Sequence, residues 1–292
     1  MNRRIHLALP PNIARRARTE IAARFPAMEI DAPATHREMY GFAQASGEQP
    51  PPALSVSAYP QLMRNMLQSS GKGFRPIEGG LPELRRELAG LGMEPPLAHL
   101  RLIAVAPCVL VYNPVRLSRL EDWADLCGRE FLTAVGTPPA DTPLPYLVRH
   151  HLQTTCNRQP AGGLDMRSSP LDINKRVDAG ELAAGVLIPA FGRAFRQGEA
   201  RMIWPRSGAL AVPLAACLAE EAPPEAHEVL DYLLSQEFQT FLAESGGLVP
   251  VSAEAPGFPE LDQAEWRLNW AGWDALLRVA ERMTGSLTEQ IS

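Results

Sequence analysis

The sequence predicts an α/β fold in two lobes, with mixed and mostly parallel sheets, and three observations carry that prediction. Short apolar runs alternate with helix-period stretches across polar loops, and the runs stand too far apart for hairpins, so parallel strands joined by helices are expected. Two longer apolar stretches, LIAVAPCVLVYN (Leu102–Asn113) and ARMIWPRSGALAVPLAAC (Ala200–Cys217), lie about a hundred residues apart and read as two crossings between lobes. The third is length: 292 residues is long for a single core, and chains of this size commonly divide.

Taken in order, Ile5–Leu9 is a first strand ended by Pro10-Pro11-Asn12, with Asn12 placed to cap the helix that follows. That helix, Ile13–Arg24, puts Ile13, Ala17, Ile21 and Phe25 on one stripe and leaves Arg15, Arg16, Arg18 and Arg24 on a solvated face. Met28–Asp31 is a second strand. Gln49-Pro50-Pro51-Pro52 turns the chain into a third, Ala53–Ala58, and Tyr59-Pro60 opens a helix with Leu62, Met63, Met66 and Leu67 buried. After the first long run, Leu117, Leu120, Trp123 and Leu126 make a helical stripe, Phe131–Val135 a strand, Gly136–Pro139 a loop and Pro145–Thr155 a helix. Val177–Ala184 reads as a helix ended by Gly185, and Val186–Ile188 as a buried strand leading into Pro189-Ala190-Phe191. In the second long stretch, Met202–Trp204 is a strand, Pro205–Gly208 a turn, and Ala209–Ala219 a strand end running into a helix. Pro223-Pro224 introduces one helix over Ala226–Glu244, closed by Gly246-Gly247, and Asn269–Met283 carries enough Trp, Leu and Val for a packed helix.

Composition narrows the function. Apolar residues are 46% and charged residues 21%, the proportions of an ordinary globular chain. A net charge of −5 argues against a nucleic-acid binder, which carries a basic surplus to offset phosphate. No apolar run approaches the roughly 20 residues of a membrane-spanning helix. The apolar part of MNRRIHLALP is about six residues, below a secretory core region, so the chain reads as cytoplasmic as it stands and periplasmic if an export signal once preceded it. Cys108, Cys127, Cys156 and Cys217 are widely spaced with no CxxC, so neither a zinc cluster nor a dithiol redox motif is visible. No cofactor is implied, and a monomer is expected.

The stretches Leu102–Asn113, Trp123-Ala124-Asp125-Leu126, GVLIPAF (Gly185–Phe191), IWPRSG (Ile203–Gly208) and EFQTFLAESGGLVP (Glu237–Pro250) together resemble the solute-binding proteins of ABC importers, nearest to the ferric-ion-binding group. The resemblance rests on the order of these stretches across roughly residues 100–252, with no single diagnostic motif. It implies a type II periplasmic-binding-protein fold, with lobe 1 from residues 1–105 and 209–252, lobe 2 from 106–208 and 253–292, and a ligand cleft between them. It also implies a permease and an ATPase as partners. In the iron-binding members two adjacent tyrosines follow the strand matching Val186–Ile188. Here Pro189-Ala190-Phe191-Gly192 occupies that loop, without the anionic oxygen that ferric iron prefers.

Candidate ligand-binding residues follow from position. In parallel sheets ligands gather beyond the carboxyl ends of strands, which selects Asn12 and the hydroxyl pair Ser57 and Tyr59. Tyr112, with Asn113, follows the first crossing, where lining the ligand and capping a hinge are both open. Thr137 and Thr142 flank a proline-rich loop before a helix, suited to an anion or to ordinary capping. Arg167, before Ser168-Ser169, offers a fork for a carboxylate or phosphate, or else a plain surface loop. Ser207 and the N–H groups of its glycine turn suit an anionic oxygen. His150-His151 with Cys156 makes a poor metal site, because neighbouring helical residues point about 100° apart. His6 and His36 lie near loops or ends of the first lobe, where a surface role and a reach into the cleft are both open, and Gly71-Lys72-Gly73 lacks phosphate-loop spacing. The expected function is capture of a small polar or anionic solute for ABC-type import, with no catalytic residue. The alternative is an intracellular enzyme or sensor acting on a heterocycle or cofactor precursor, with Cys108 or a cleft carboxylate as its reactive group.

Overall fold

A computed structural model describes residues 2–33, 51–68, 73–77, 83–128, 131, 133–140, 142–194, 198–261 and 266–291, with side chains apart from 64–68 and 284–291. His36, the turn at Gln49-Pro50, Gly71-Lys72 and the side chains of Met66 and Leu67 lie outside what is described. Contacts divide the chain into two units. Unit 1 holds Met1–Val105, Pro213–Phe258 and Gly272–Ser292, and unit 2 holds Ala106–Val212 and Pro259–Ala271. The sequence reading put all of 253–292 in the second lobe, whereas only Pro259–Ala271 groups with unit 2. The C-terminal helix belongs to unit 1, where the Trp273 ring meets Tyr59 edge-on at 4.7 Å.

In chain order the elements begin with β1 (Arg4–Leu7), α1 (Pro11–Arg24), β2 (Glu29–Asp31), β3 (Leu54–Ala58), α2 (Tyr59–Gln68), β4 (Phe74–Arg75), α3 (Arg86–Gly90) and β5 (Arg101–Tyr112). There follow a 3-10 turn at Trp123–Cys127, β6 (Val135–Gly136), α4 (Leu144–Cys156), β7 (Leu164–Asp165), α5 (Pro170–Asp178), β8 (Ala184–Leu187), α6 (Pro189–Gly192) and β9 (Arg201–Ile203). The chain ends with β10 (Ala209–Ala219), α7 (Pro224–Leu234), α8 (Gln236–Gly246), β11 (Val249–Pro250), β12 (Leu268–Asn269) and α9 (Trp273–Ile291).

Unit 1 is built on β1, flanked in parallel by β2 and β3, with β10 running antiparallel to β3 through Leu214–Leu218. The buried stripe of α1 is Ile13, Ala14, Ala17 and Ile21, one residue off the predicted set. Its arginines do more than meet water: Arg16 lies 4.9 Å over the Phe241 ring and Arg24 4.4 Å over Tyr232, pinning α1 to the α7–α8 pair. Buried Gln239 stitches that pair to the strands. Its Nε2 donates to the Ile103 and Leu233 carbonyls, and its Oε1 accepts from Val251 N–H at 2.8 Å.

Two strands, β5 and β10, run from one unit into the other. Every residue of β5 after Arg101 is buried, and so is all of β10, as near-continuous apolar runs predict. Each carries one proline, placed where the missing N–H does least harm. Pro107 falls between Ala104–Val105, paired with β11, and Val109–Tyr112, paired with β8. Pro213 falls between Ala209–Leu210, paired with β12, and Leu214–Leu218, paired with β3.

Unit 2 sets β5 antiparallel to β8 and β9, while β8, β6 and β7 are mutually parallel. Glycines stand opposite each other at Gly136 and Gly185, and a Cβ on Gly185 would come 2.6 Å from Ile173 Cγ2 of α5. The glycine pair therefore lets α5 lie directly on the sheet, with Ile173 fully buried.

Several expected elements differ, each for a local reason. The helix read at Val177–Ala184 is instead α5, seven residues earlier at its start. Ser169 caps it by accepting from Asp172 N–H, Pro170 takes the first turn, and Gly180 at φ 71° ends it. The single helix expected over 226–244 breaks at Ser235, whose hydroxyl donates to Tyr232 O at 2.7 Å and accepts from Phe238 N–H at 3.3 Å. Leu117, Leu120, Trp123 and Leu126 are buried as expected, but only Trp123–Cys127 is helical, as a 3-10 turn. Asn113 holds the preceding residues in a turn through Val115 N–H. Ala209–Ala219 is strand throughout, because its ladder with β3 overrides the helix preference of alanine. Phe131 is buried outside a strand.

Gly185→Ala forces a methyl against the branched, buried Ile173 and is expected to cost about 1–3 kcal/mol, read from the urea midpoint at an unchanged slope.

Candidate functional site

The carboxyl ends of β6 and β7 bring two of the predicted residues together. Thr137 follows β6, and its N–H donates to the Asp165 carbonyl at 2.9 Å, so it sits directly beside the end of β7. The Thr137 side chain is fully buried, and its hydroxyl has no hydrogen-bond partner among the described residues. Burying an unmet hydroxyl costs about 1–3 kcal/mol, the kind of deficit that clusters at functional sites.

Asp165 organises the other half. Its carboxylate accepts from Arg167 Nε at 3.0 Å and from Arg176 Nη1 at 2.8 Å, and Arg176 also reaches Ser168 Oγ at 2.7 Å. The hydrogen bond from Arg167, joined by that from Arg176, holds the Asp165 carboxyl below the usual carboxylate range against the opposing effect of burial. Asp165 in turn favours the charged form of Arg167. Arg176 also pairs with the Glu181 carboxylate at 3.5 Å, whereas the Arg167 side chain, held by Asp165, is 85% exposed. Ser169, capping α5, completes the loop. Arg167 was legible in the sequence; Asp165 and Arg176 were not singled out. The signal was the Ser169-Pro170-x-Asp172 helix start, which places Arg176 two turns along α5 and back over the strand end.

The other predicted residues are placed differently. Thr142 spends its hydroxyl on the Pro139 carbonyl at 2.7 Å, just ahead of α4. Tyr112 pairs with Ala184 at the amino end of β8, and Asn113 beyond it donates to the Val177 carbonyl at 3.0 Å, tying down the end of α5. Ser207 donates to Asp122 Oδ1 at 2.6 Å, and Trp123 Nε1 donates to the Gly208 carbonyl at 2.9 Å, so that turn is stitched to the 3-10 turn. In unit 1, Asn12 is in the first turn of α1 and donates to the Ser245 carbonyl at 2.8 Å, while Pro10 occupies the cap position. Ser57 is buried in β3 opposite Ala215. Tyr59 is buried against Trp273, and burial raises its phenol pKa, helped by Asp274.

Other chemistry finds little support. Cys108 is buried and its thiol is pushed up to about 12, which leaves almost no thiolate to attack a substrate. Among the described residues no group of three or more His, Cys, Asp and Glu is placed to hold a metal. None of their helices is long and apolar enough to cross a membrane. The loop after β8 is the short α6, with Pro189 and Phe191 both buried. A concavity of about 740 Å³ runs along α5, lined by Leu171, Asn174, Lys175, Asp178 and Ala194 among others. Its buried amide is committed, since Asn174 Nδ2 donates to the Phe191 carbonyl.

Residues 72–279 match the family model of bacterial extracellular solute-binding proteins. The chain belongs to that family. Its members bind solutes and are not enzymes. The fold has solved counterparts of the same extent. Iron-bound HitA from Pseudomonas aeruginosa aligns with a TM-score of 0.73 at 14% identity, covering 98% of this chain and 99% of that one. Apo ferric ion-binding protein A from Pasteurella haemolytica aligns at 0.71 and 10% identity, covering 98% and 96%. The substrate binding protein of an ABC transporter from Agrobacterium tumefaciens aligns at 0.66 and 14% identity, covering 98% and 94%. Among curated proteins none matches the sequence. This solute-binding protein therefore has the two-unit α/β architecture of periplasmic binding proteins.

A buried histidine is expected to make the fold lose stability in acid. His151 is 5% exposed, its ring meets Trp123 edge-on at 5.3 Å, and its Nε2 has no partner among the described residues. Burial pushes it down to about 4, with His150 acting in the same direction and Asp122 opposing both. The folded protein thus keeps the ring neutral while the unfolded chain takes up a proton below about pH 6.5. The resulting stability is fully present above that pH and drains away as pH falls towards about 4. His151→Phe keeps the edge contact and removes the titration, so the drop in Tm between about pH 7 and pH 4.5 shrinks in melts of the variant.

Proposed function

We propose that this solute-binding protein captures a small anionic solute at the strand-end edge of unit 2 and hands it to an ABC-type permease and ATPase. The observation that carries the reading is the exposed Arg167 guanidinium, held by Asp165 at the end of β7. A planar fork fixed by a carboxylate behind it is suited to a carboxylate or phosphate in front, by paired charge-assisted hydrogen bonds. Ser168, whose hydroxyl oxygen accepts from Arg176, keeps its O–H to donate on the same loop. Beside it, at the end of β6, the buried Thr137 hydroxyl has no hydrogen-bond partner among the described residues. The ABC partners are carried over from relatives such as the Agrobacterium tumefaciens protein; of the other expected site residues, Asn12, Thr142 and Ser207 have their side chains bonded within the protein and Tyr59 packs on Trp273, while Ser57 and Tyr112 remain candidates for the ligand.

Iron as cargo is disfavoured on side-chain chemistry. Some structural counterparts hold iron, and one from Trichodesmium is in complex with iron and citrate. Here the loop after β8 offers proline, alanine, phenylalanine and glycine, none with an oxygen-bearing side chain. An organic anion or oxyanion unaccompanied by metal fits the Arg167 edge better.

Native mass spectrometry of gently purified protein identifies any retained solute, and titration calorimetry with citrate and with inorganic phosphate measures affinity. Arg167→Ala is expected to weaken binding of the anion taken up by about 10-fold or more with little change in Tm, because the side chain is largely exposed. Equal affinity in the variant, or stoichiometric ferric ion in the purified protein, overturns the reading.

A further inference from the structure

Two of the four cysteines, separated by 28 residues of sequence that include a whole helix, come together in unit 2. Cys127 ends the 3-10 turn and Cys156 ends α4. The two elements lie alongside each other, with Trp123 meeting His151 at one end, at 5.3 Å. Counting on from that contact, four residues along the 3-10 turn is Cys127 and five along α4 is Cys156, so the thiols fall at the same level. A hydrogen bond agrees with that placement: Cys127 Sγ donates to the Arg158 carbonyl at 3.7 Å, two residues past Cys156. Asn157, in left-handed backbone at φ 50°, turns the chain there. Both cysteines are partly exposed, unlike Cys108 and Cys217, which are buried.

We propose that Cys127 and Cys156 are a disulfide-forming pair that staples the 3-10 turn to the end of α4. The thiols already interact: burial first, and then the neighbouring Cys156 sulfur, push Cys127 up to about 11. A thiol with so little thiolate reacts slowly, which suits a structural bridge rather than a rapid sensor. On oxidation two S–H bonds break and one S–S bond forms. The two protons and two electrons pass to a small-molecule disulfide such as oxidised glutathione, which leaves as two thiols. The bridge closes a loop of about 30 residues and so restricts the unfolded chain. It also fixes the turn that carries Asp122 and Trp123, the residues that hold the Ser207–Gly208 turn ahead of β10. Formation in the test tube is independent of which solute is bound; occupancy in the cell rests on the family's extracellular setting, where disulfides persist.

The test uses the full-length protein, fully reduced, desalted and incubated with oxidised glutathione at about pH 8, then blocked with N-ethylmaleimide and digested with trypsin. The expected product is a linked pair of peptides, Leu120–Arg129 with His150–Arg158, lighter by two hydrogens than their sum. The oxidised protein melts about 5–10 °C above its reduced form. Cys127→Ser and Cys156→Ser each lose the link and that difference, whereas Cys108→Ala and Cys217→Ala keep both. Recovery of the two peptides separately, carrying maleimide or a stalled glutathione, overturns the pairing. A link without a change in Tm overturns the stapling.

Discussion

Everything in this protein is hung on two strands that belong to both units. β5 and β10 are buried along almost their whole length, so each of their peptide groups needs a partner in whichever unit it has reached. The chain meets that demand by changing partners part-way: β11 then β8 and β9 for β5, and β12 then β3 for β10. Pro107 and Pro213 mark the changeovers, where a residue without an N–H can sit between two sets of pairs. The same residues that look like interruptions of an apolar run in the sequence are thus the places where the two cores are joined in one chain.

Within unit 2 a short causal chain leads from packing to chemistry. Gly136 and Gly185 face each other across β6 and β8, which brings Ile173 and with it α5 down onto the sheet. With α5 so placed, Arg176 reaches back to Asp165, and Asp165 holds Arg167 outward. The placing of the Asp165–Arg167 pair is thus a consequence of two missing side chains under the helix. Elsewhere in the unit Asp122 locks the Ser207 turn, accepting the hydrogen bond of that serine's hydroxyl.

Much of the fold was legible in the sequence. Strand–loop–helix order, the two long apolar runs and the helix at Pro11–Arg24 rest on periodicity and punctuation, which are local properties. Errors arose where local signals competed. Val177–Ala184 looks helical by composition, but Ser169 and Pro170 start the helix earlier and Gly180 stops it. The alanine-rich stretch after Gly208 looks helical as well, yet a ladder with β3 decides for strand. Ser235 divides what reads as one helix because its hydroxyl serves both ends of the break.

The site was less legible for a related reason. Thr137 could be named from its place in a proline-rich loop before a helix and Arg167 from its guanidinium fork in a loop, but Asp165 and Arg176 gain meaning only when β6, β7 and α5 are assembled. Ser207 and Asn12 carry the right chemistry for a ligand, and the folded chain gives that chemistry to Asp122 and to the Ser245 carbonyl. The sequence alone determined the fold class, the family resemblance and the absence of a tyrosine pair after β8, since each is written in residue type and order. Only the tertiary structure decided which polar groups are spent on one another and which remain turned outward, because hydrogen-bond partners far apart in the chain are chosen by packing.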